Sequence, residues 1–240
     1  MSPAAADVVA ALAAVADSKR AVGTARFFKT GPGEYGEGDV FIGVTMPLQR
    51  AVVREYRSLP RAEVRKLLRS EIHEHRMTAL LILVDQYRRG TSEDKQSVYD
   101  LYLAHTDRIN NWDLVDASAE HIVGAHTYAE GVAPLATLAA SDDLWERRIA
   151  MVACFEDIKR GDPDRPLAVA ELLAHDSHDL IQKAVGWMLR EVGKRIDRKL
   201  LVAWLAEDGG RYRTLPRTEL RYAIEHFPPE ERKRYLTGAV

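Results

Sequence analysis

The chain has 240 residues, 46% of them hydrophobic and 29% charged, and a formal net charge of −2. This suits a folded, soluble protein, excludes a membrane span because no window approaches 18 uninterrupted apolar residues, and leaves any nucleic-acid contact to a local basic patch. One cysteine, Cys154 in "RIAMVACF", excludes an internal disulfide and a zinc cluster and fits core packing in a reducing cytoplasm.

Ala, Leu, Arg and Glu dominate, and no long run alternates with period two, so the elements are helices. The opening "MSPAAADVVAALAAVADSKR" lacks a leading basic region and carries Asp7, which predicts a helix over 4–17 rather than a signal peptide. A second helix is expected over 20–28. Then comes "TGPGEYGEGDVFIG", 30–43, with five glycines in fourteen residues. It lacks the Gly-Lys-Ser/Thr ending and the strand–Gly–helix setting of a phosphate cradle, so it reads as a connecting loop. Further helices follow at 46–58, 61–70, 72–89 and 93–105, their starts marked by Thr45 before Met46-Pro47, by Leu59-Pro60 and by Ser92 before Glu93-Asp94. His73 and His75 lie two apart and share no helix face, which argues against a metal site.

The octet "INNWDLVD", 109–116, begins a helix expected over 112–126, with Asn111 as N-cap. Trp112 and Asp116 stand at i and i+4 and meet on one face. Asp113, about 60° round from Asp116 and in the first turn, suits a structural role, capping or pairing with an arginine. Asp116 lies between Val115 and Ala117, where a solvated acid is hard to explain. A partly buried anion beside an aromatic face suits stabilising a transient cation.

After a helix at 131–140, "LWERRIAMVACF" begins one at 143–159 and puts Arg147 and Arg148 in its first turn, against the helix dipole. Both a salt bridge to Glu146 or Asp143 and an anionic partner explain that. A helix at 165–174 precedes "QKAVGWMLREVGKRI" in 179–195, where Lys183, Trp187, Arg190 and Lys194 fall on one face. A solvated basic face with a covering tryptophan and a phosphate-binding stripe with an aromatic platform both remain open. Helices at 198–207, 216–226 and 229–237 close the chain. Ala79-Leu80, Val115-Asp116, Ala150-Met151, Gly186-Trp187 and Tyr222-Ala223 recur 35 or 36 residues apart, each expected mid-helix. That interval predicts stacked helical hairpins in one domain over 1–240, a curved solenoid with one helix of each pair on its concave face. Asp116 and Trp187 share a register position held elsewhere by Leu80, Met151 and Ala223.

"NNWDLVD", "LWERRIA" and "IQKAVGWMLREVGK", in this order and spacing, resemble the AlkD-type family of bacterial DNA alkylation-repair glycosylases. The resemblance runs from about "ARFFKTG" (25–31) to "LRYAIEHFP" (220–228). It implies an all-α fold of HEAT-like repeats with a concave DNA-binding face. It further implies Asp116 as the catalytic carboxylate, Trp112 and Trp187 as indoles flanking the lesion's deoxyribose, and Arg148 as a grip on the DNA backbone. Arg147, Lys183, Arg190 and Lys194 are expected to hold further phosphates. The implied reaction releases cationic N3- and N7-alkylpurines, bulky adducts in some relatives, from duplex DNA without base flipping. No cofactor or metal motif is present, and a monomer in the bacterial cytoplasm, at the nucleoid, is expected. The chain departs from the family where Asn111 replaces a tryptophan, where Phe27 replaces a tyrosine and in the longer 30–43 loop. A non-catalytic repeat protein binding distorted or branched DNA is the alternative, and a protein scaffold with no DNA affinity a third.

Overall fold

The computed structural model describes residues 3–240, which form two compact units, one ending at Ile122 and the other spanning Val123–Val240. The first holds α1 (Ala5–Ala13), α2 (Ser18–Phe27), α3 (Met46–Tyr56), α4 (Arg61–Leu68), α5 (His73–Arg89), α6 (Ser92–Leu103) and α7 (Trp112–Asp116). The second holds α8 (Ala125–Thr127), α9 (Ala133–Ala139), α10 (Leu144–Ala153), α11 (Phe155–Arg160) and α12 (Asp164–Leu173). It continues through α13 (Asp179–Arg195), α14 (Arg198–Gly210), α15 (Arg217–Ala223) and α16 (Pro229–Thr237). Among the described residues no β-strand occurs, only an isolated bridge between Val40 and Ile72. The fold is all-α, and no described helix is long and apolar enough to cross a membrane.

Each unit is built round one long helix. α5 packs on α3, α4 and α6 and buries Met77 through Val84 without a break. α13 packs on α10, α12, α14 and α15. Gly186 lets α13 meet α15 closely, because a Cβ there would sit 2.4 Å from the Glu219 carbonyl oxygen. Cys154 is buried, as a core thiol should be, and burial pushes its ionisation up.

Several helices differ from the periodicity. The first ends at Ala13, because Asp17 leaves it to cap α2 by accepting from the Arg20 amide at 3.0 Å. α6 is capped by Thr91, not by Ser92, which is its first residue: Thr91 Oγ1 accepts from the Asp94 amide at 3.2 Å. The helix expected over 112–126 is broken. α7 closes at Asp116, a π-turn follows over Glu120–Gly124, and α8 is three residues long. Ser118 lies in the break, its hydroxyl donating to the Leu114 carbonyl at 2.6 Å, a side-chain bond that competes with the helical ladder. Cys154 separates α10 from α11 where the periodicity predicts one helix. Asp116 and Ala223 therefore end their helices instead of standing mid-helix.

Candidate active site

The stretch bearing Trp112 and Asp116 is anchored by buried polar groups. Asn111 caps α7, its side-chain oxygen accepting from the Trp112 amide at 2.8 Å, while its amide nitrogen donates to Asp39 Oδ2 at 3.1 Å. Asp113 is structural, as its first-turn position suggests, but its partner is a histidine: His73 Nε2 lies 2.9 Å from Asp113 Oδ2. The other ring nitrogen, Nδ1, lies 2.9 Å from Asp39 Oδ2, and Arg76 pairs with Asp39 as well. Burial alone would push the His73 pKa down, yet hydrogen bonds and charge from Asp113 and Asp39 raise it to about 9. For Asp39, burial acts upward, and His73 with Arg76 overrules it, holding the carboxyl below its usual range. The result is a buried cluster of two cations and two anions.

Aromatic rings lie over this cluster. Phe41 stacks on His73 with centroids 4.5 Å apart, Phe28 stacks on Phe41 at 5.1 Å, and Trp112 stacks on Phe28 at 5.1 Å. Phe27 meets the Trp112 indole edge-on at 6.0 Å, and Trp112 Nε1 donates to the Tyr35 hydroxyl at 3.3 Å. The glycine-rich loop is thus an ordered wall of the site. Its last glycine, Gly43, has φ of +78°, and a Cβ there would lie 2.1 Å from the Asp17 carbonyl oxygen. The Ile42, Gly43 and Val44 amides all donate to the Glu74 carboxylate, Gly43 at 2.7 Å.

Trp112 and Asp116 are both half-buried on α7, with Leu114 and Val115 turned into the core between them. The buried Tyr102 hydroxyl, 3.1 Å from Ser118 Oγ, is pushed up mainly by burial and further by the negative charge of Asp116. At the shared register position Leu80 and Met151 are 0% exposed and Ala223 1%, whereas Asp116 and Trp187 both reach solvent.

In the second unit the expected cations are largely engaged within the protein. Arg148 is buried and donates to the Leu180 carbonyl at 2.6 Å. Arg147 pairs with Asp176 at 2.7 Å, not with Asp143, which instead caps α10 by accepting from the Trp145 and Glu146 amides. Lys183 pairs with Asp179 at 2.8 Å, and Arg190 pairs with Glu191 at 2.8 Å and also with Glu225. Lys194 is exposed, and Trp187 is half-exposed with its ring 5.8 Å from Phe155. Among the described residues no group of three His, Cys, Asp or Glu side chains forms a candidate metal site.

A model of the DNA alkylation repair enzyme family matches residues 8–227. No curated protein matches the chain. Among solved structures, a predicted DNA alkylation repair enzyme from Enterococcus faecalis aligns with a TM-score of 0.67 at 17% identity, over 89% of this chain and 97% of that one. At that identity the likeness is one of fold. The family match covers nearly the whole chain and includes every residue of the candidate site, so this protein belongs to the DNA alkylation repair enzyme family.

Proposed function

We propose that the protein is a monofunctional DNA glycosylase that hydrolyses the N-glycosidic bond of cationic N3- and N7-alkylpurines in duplex DNA. Bulky adducts fall within its range, and the damaged nucleotide is not flipped into a pocket. One observation carries this reading. A tryptophan and an aspartate stand half-buried on one short helix, the aspartate at a register position that apolar side chains close in three other helices.

The chemistry asks for little more. An N3- or N7-alkylpurine already carries a positive charge, so the base leaves neutral and no general acid is needed. Charge then develops on the deoxyribose as an oxocarbenium-like species. The Asp116 carboxylate favours that charge electrostatically and orients the water that captures it. The indole face of Trp112 adds cation–π stabilisation of about 0.5–2 kcal/mol, and we assign Trp187 the same electronic role. Phe28 and the cluster beneath it fix the Trp112 ring, so little reorganisation is required during reaction. Arg148, Arg147, Lys183, Arg190 and Lys194 are assigned to phosphates. All but Lys194 must first exchange internal partners, which makes that contribution smaller than their number suggests.

The test is base release from duplexes carrying a single 7-methylguanine, a single N3-methyladenine, or N7-guanine adducts of increasing size. Free base and an abasic strand are expected from each. Tight, salt-dependent DNA binding with no base released from any of them would leave a non-catalytic DNA-binding protein instead.

A further inference from the structure

A group of arginines free to meet an anion lies in the first unit. Arg50, Arg54 and Arg57 fall at i, i+4 and i+7 along α3 and its C-terminal residue, and all three are exposed. Arg88, in the last turn of α5, is exposed beside them. Arg50, Arg54 and Arg88 together line a groove of about 180 Å³ floored by Val53, Leu81 and Val84. Among the described residues, none offers these three side chains a salt bridge or a hydrogen bond.

The acid on the groove and acids on the flanking helices α4 and α6 are already engaged. Asp85, which lines it, pairs with Arg89 at 3.0 Å, Asp94 pairs with Arg61 at 2.5 Å, and Glu63 pairs with Lys66 at 2.6 Å. Burial first, and the neighbouring charge of Glu55 after it, push the Tyr56 hydroxyl up. A position near a helix C-terminus accounts for the sign of Arg54 and Arg88, because cations there complement the helix dipole. It does not account for Arg50, mid-helix, or for two helices directing unpaired cations at one groove. Like charges gathered without counter-ions repel, and an anionic partner relieves that repulsion.

We infer that Arg50, Arg54 and Arg88 form a phosphate-binding surface for the backbone of duplex DNA, separate from the cations of the second unit. The inference rests on DNA as the partner, and not on the glycosylase reaction. Guanidinium groups match phosphate geometry through paired N–H donors, and the apolar floor supports the sugar edge. In the second unit a phosphate must displace a carboxylate to reach Arg147, Lys183 or Arg190, whereas here the cations are preformed.

The experiment is a filter-binding titration of an unmodified duplex of about 20 base pairs at several salt concentrations. It compares the full chain with Arg50→Gln/Arg54→Gln/Arg88→Gln and with a control, Lys199→Gln/Arg217→Gln/Lys233→Gln, which removes as many exposed charges elsewhere. Removing one cation that neutralises a phosphate lowers the slope of log K against log salt by about 0.9, so the first triple variant should show a slope smaller by about 2.7. Its affinity at low salt should fall at least tenfold, and the control should change neither by much. Should the triple variant not fold, Arg54→Gln and Arg88→Gln singly should each reduce the slope by about 0.9. An unchanged slope in the arginine variants, or an equal reduction in the control, overturns the surface and leaves the glycosylase reading untouched. A reduced slope without base release from alkylated duplex keeps the surface and overturns the reaction. No binding by the unaltered protein overturns both.

Discussion

His73 does more than pack. A protonated imidazole between Asp39 and Asp113, stacked under Phe41, ties the loop at 30–43 to the first turn of α7. With its pKa raised from 6.5 to about 9, its contribution to stability is complete below pH 6.5 and lost as pH rises through about 9. Glu219 acts in the same direction. Burial first, and Asp176 second, raise its carboxyl from 4.5 to about 9, so the folded state holds a proton that the unfolded state releases. Stability should therefore fall between pH 6.5 and 9, with each retained proton worth about 1.4 kcal/mol per pH unit. Urea denaturation at pH 6, 7.5 and 9 checks this. His73→Gln and Glu219→Gln should each flatten the profile by about one proton, and a profile already flat in the unaltered protein would refute the assignment. The same residues show what sequence could not reveal. Asp113 reads as structural from its place in the first turn, but its partner lies forty residues earlier in the chain, and Asp39 a further thirty-four. No local pattern joins them, and in the sequence His73 invites only the question of a metal ligand.

Among the elements, helices were legible wherever apolar residues recur with period 3.6, as in α3, α4, α5, α13 and α16, whose ends lie within a few residues of expectation. Breaks were not. Ser118 and Cys154 interrupt helices whose apolar spacing runs straight through, because a hydroxyl or thiol bonding back to a carbonyl leaves no mark in hydrophobic periodicity. The internal pairing of the basic stripe on α13 was hidden for a related reason. Lys183, Trp187, Arg190 and Lys194 do share one face, but Glu225, thirty-five residues from Arg190, returns a carboxylate to that face. The glycine-rich loop, read as a connection, is held by Glu74 and by the ring stack. It is the element most sensitive to a small change. Gly43→Ala places a Cβ against the Asp17 carbonyl at a left-handed backbone position, and should destabilise the protein by at least about 2 kcal/mol. Thermal unfolding followed by circular dichroism measures the loss, and an unchanged midpoint would show that the loop relaxes freely.

For the molecule as a whole, the sequence conveyed the all-helical class and the recurrence of positions, while the structure decides which recurring position is open. Five register sites hold Leu80, Asp116, Met151, Trp187 and Ala223, and only the acid and the tryptophan reach solvent. Apolar burial sets three of them, and function is the reason we assign to the other two. The family match gives a role in DNA alkylation repair, and the open carboxylate is the basis for assigning the bond it cuts. The decisive measurement is single-turnover release of 7-methylguanine from duplex DNA by Asp116→Asn beside the unaltered protein, with DNA affinity measured in parallel. The account predicts affinity within about threefold of the unaltered protein and release slowed at least a hundredfold, the scale expected for loss of one preorganised charge. Release at the unaltered rate by a folded, DNA-bound Asp116→Asn would contradict it.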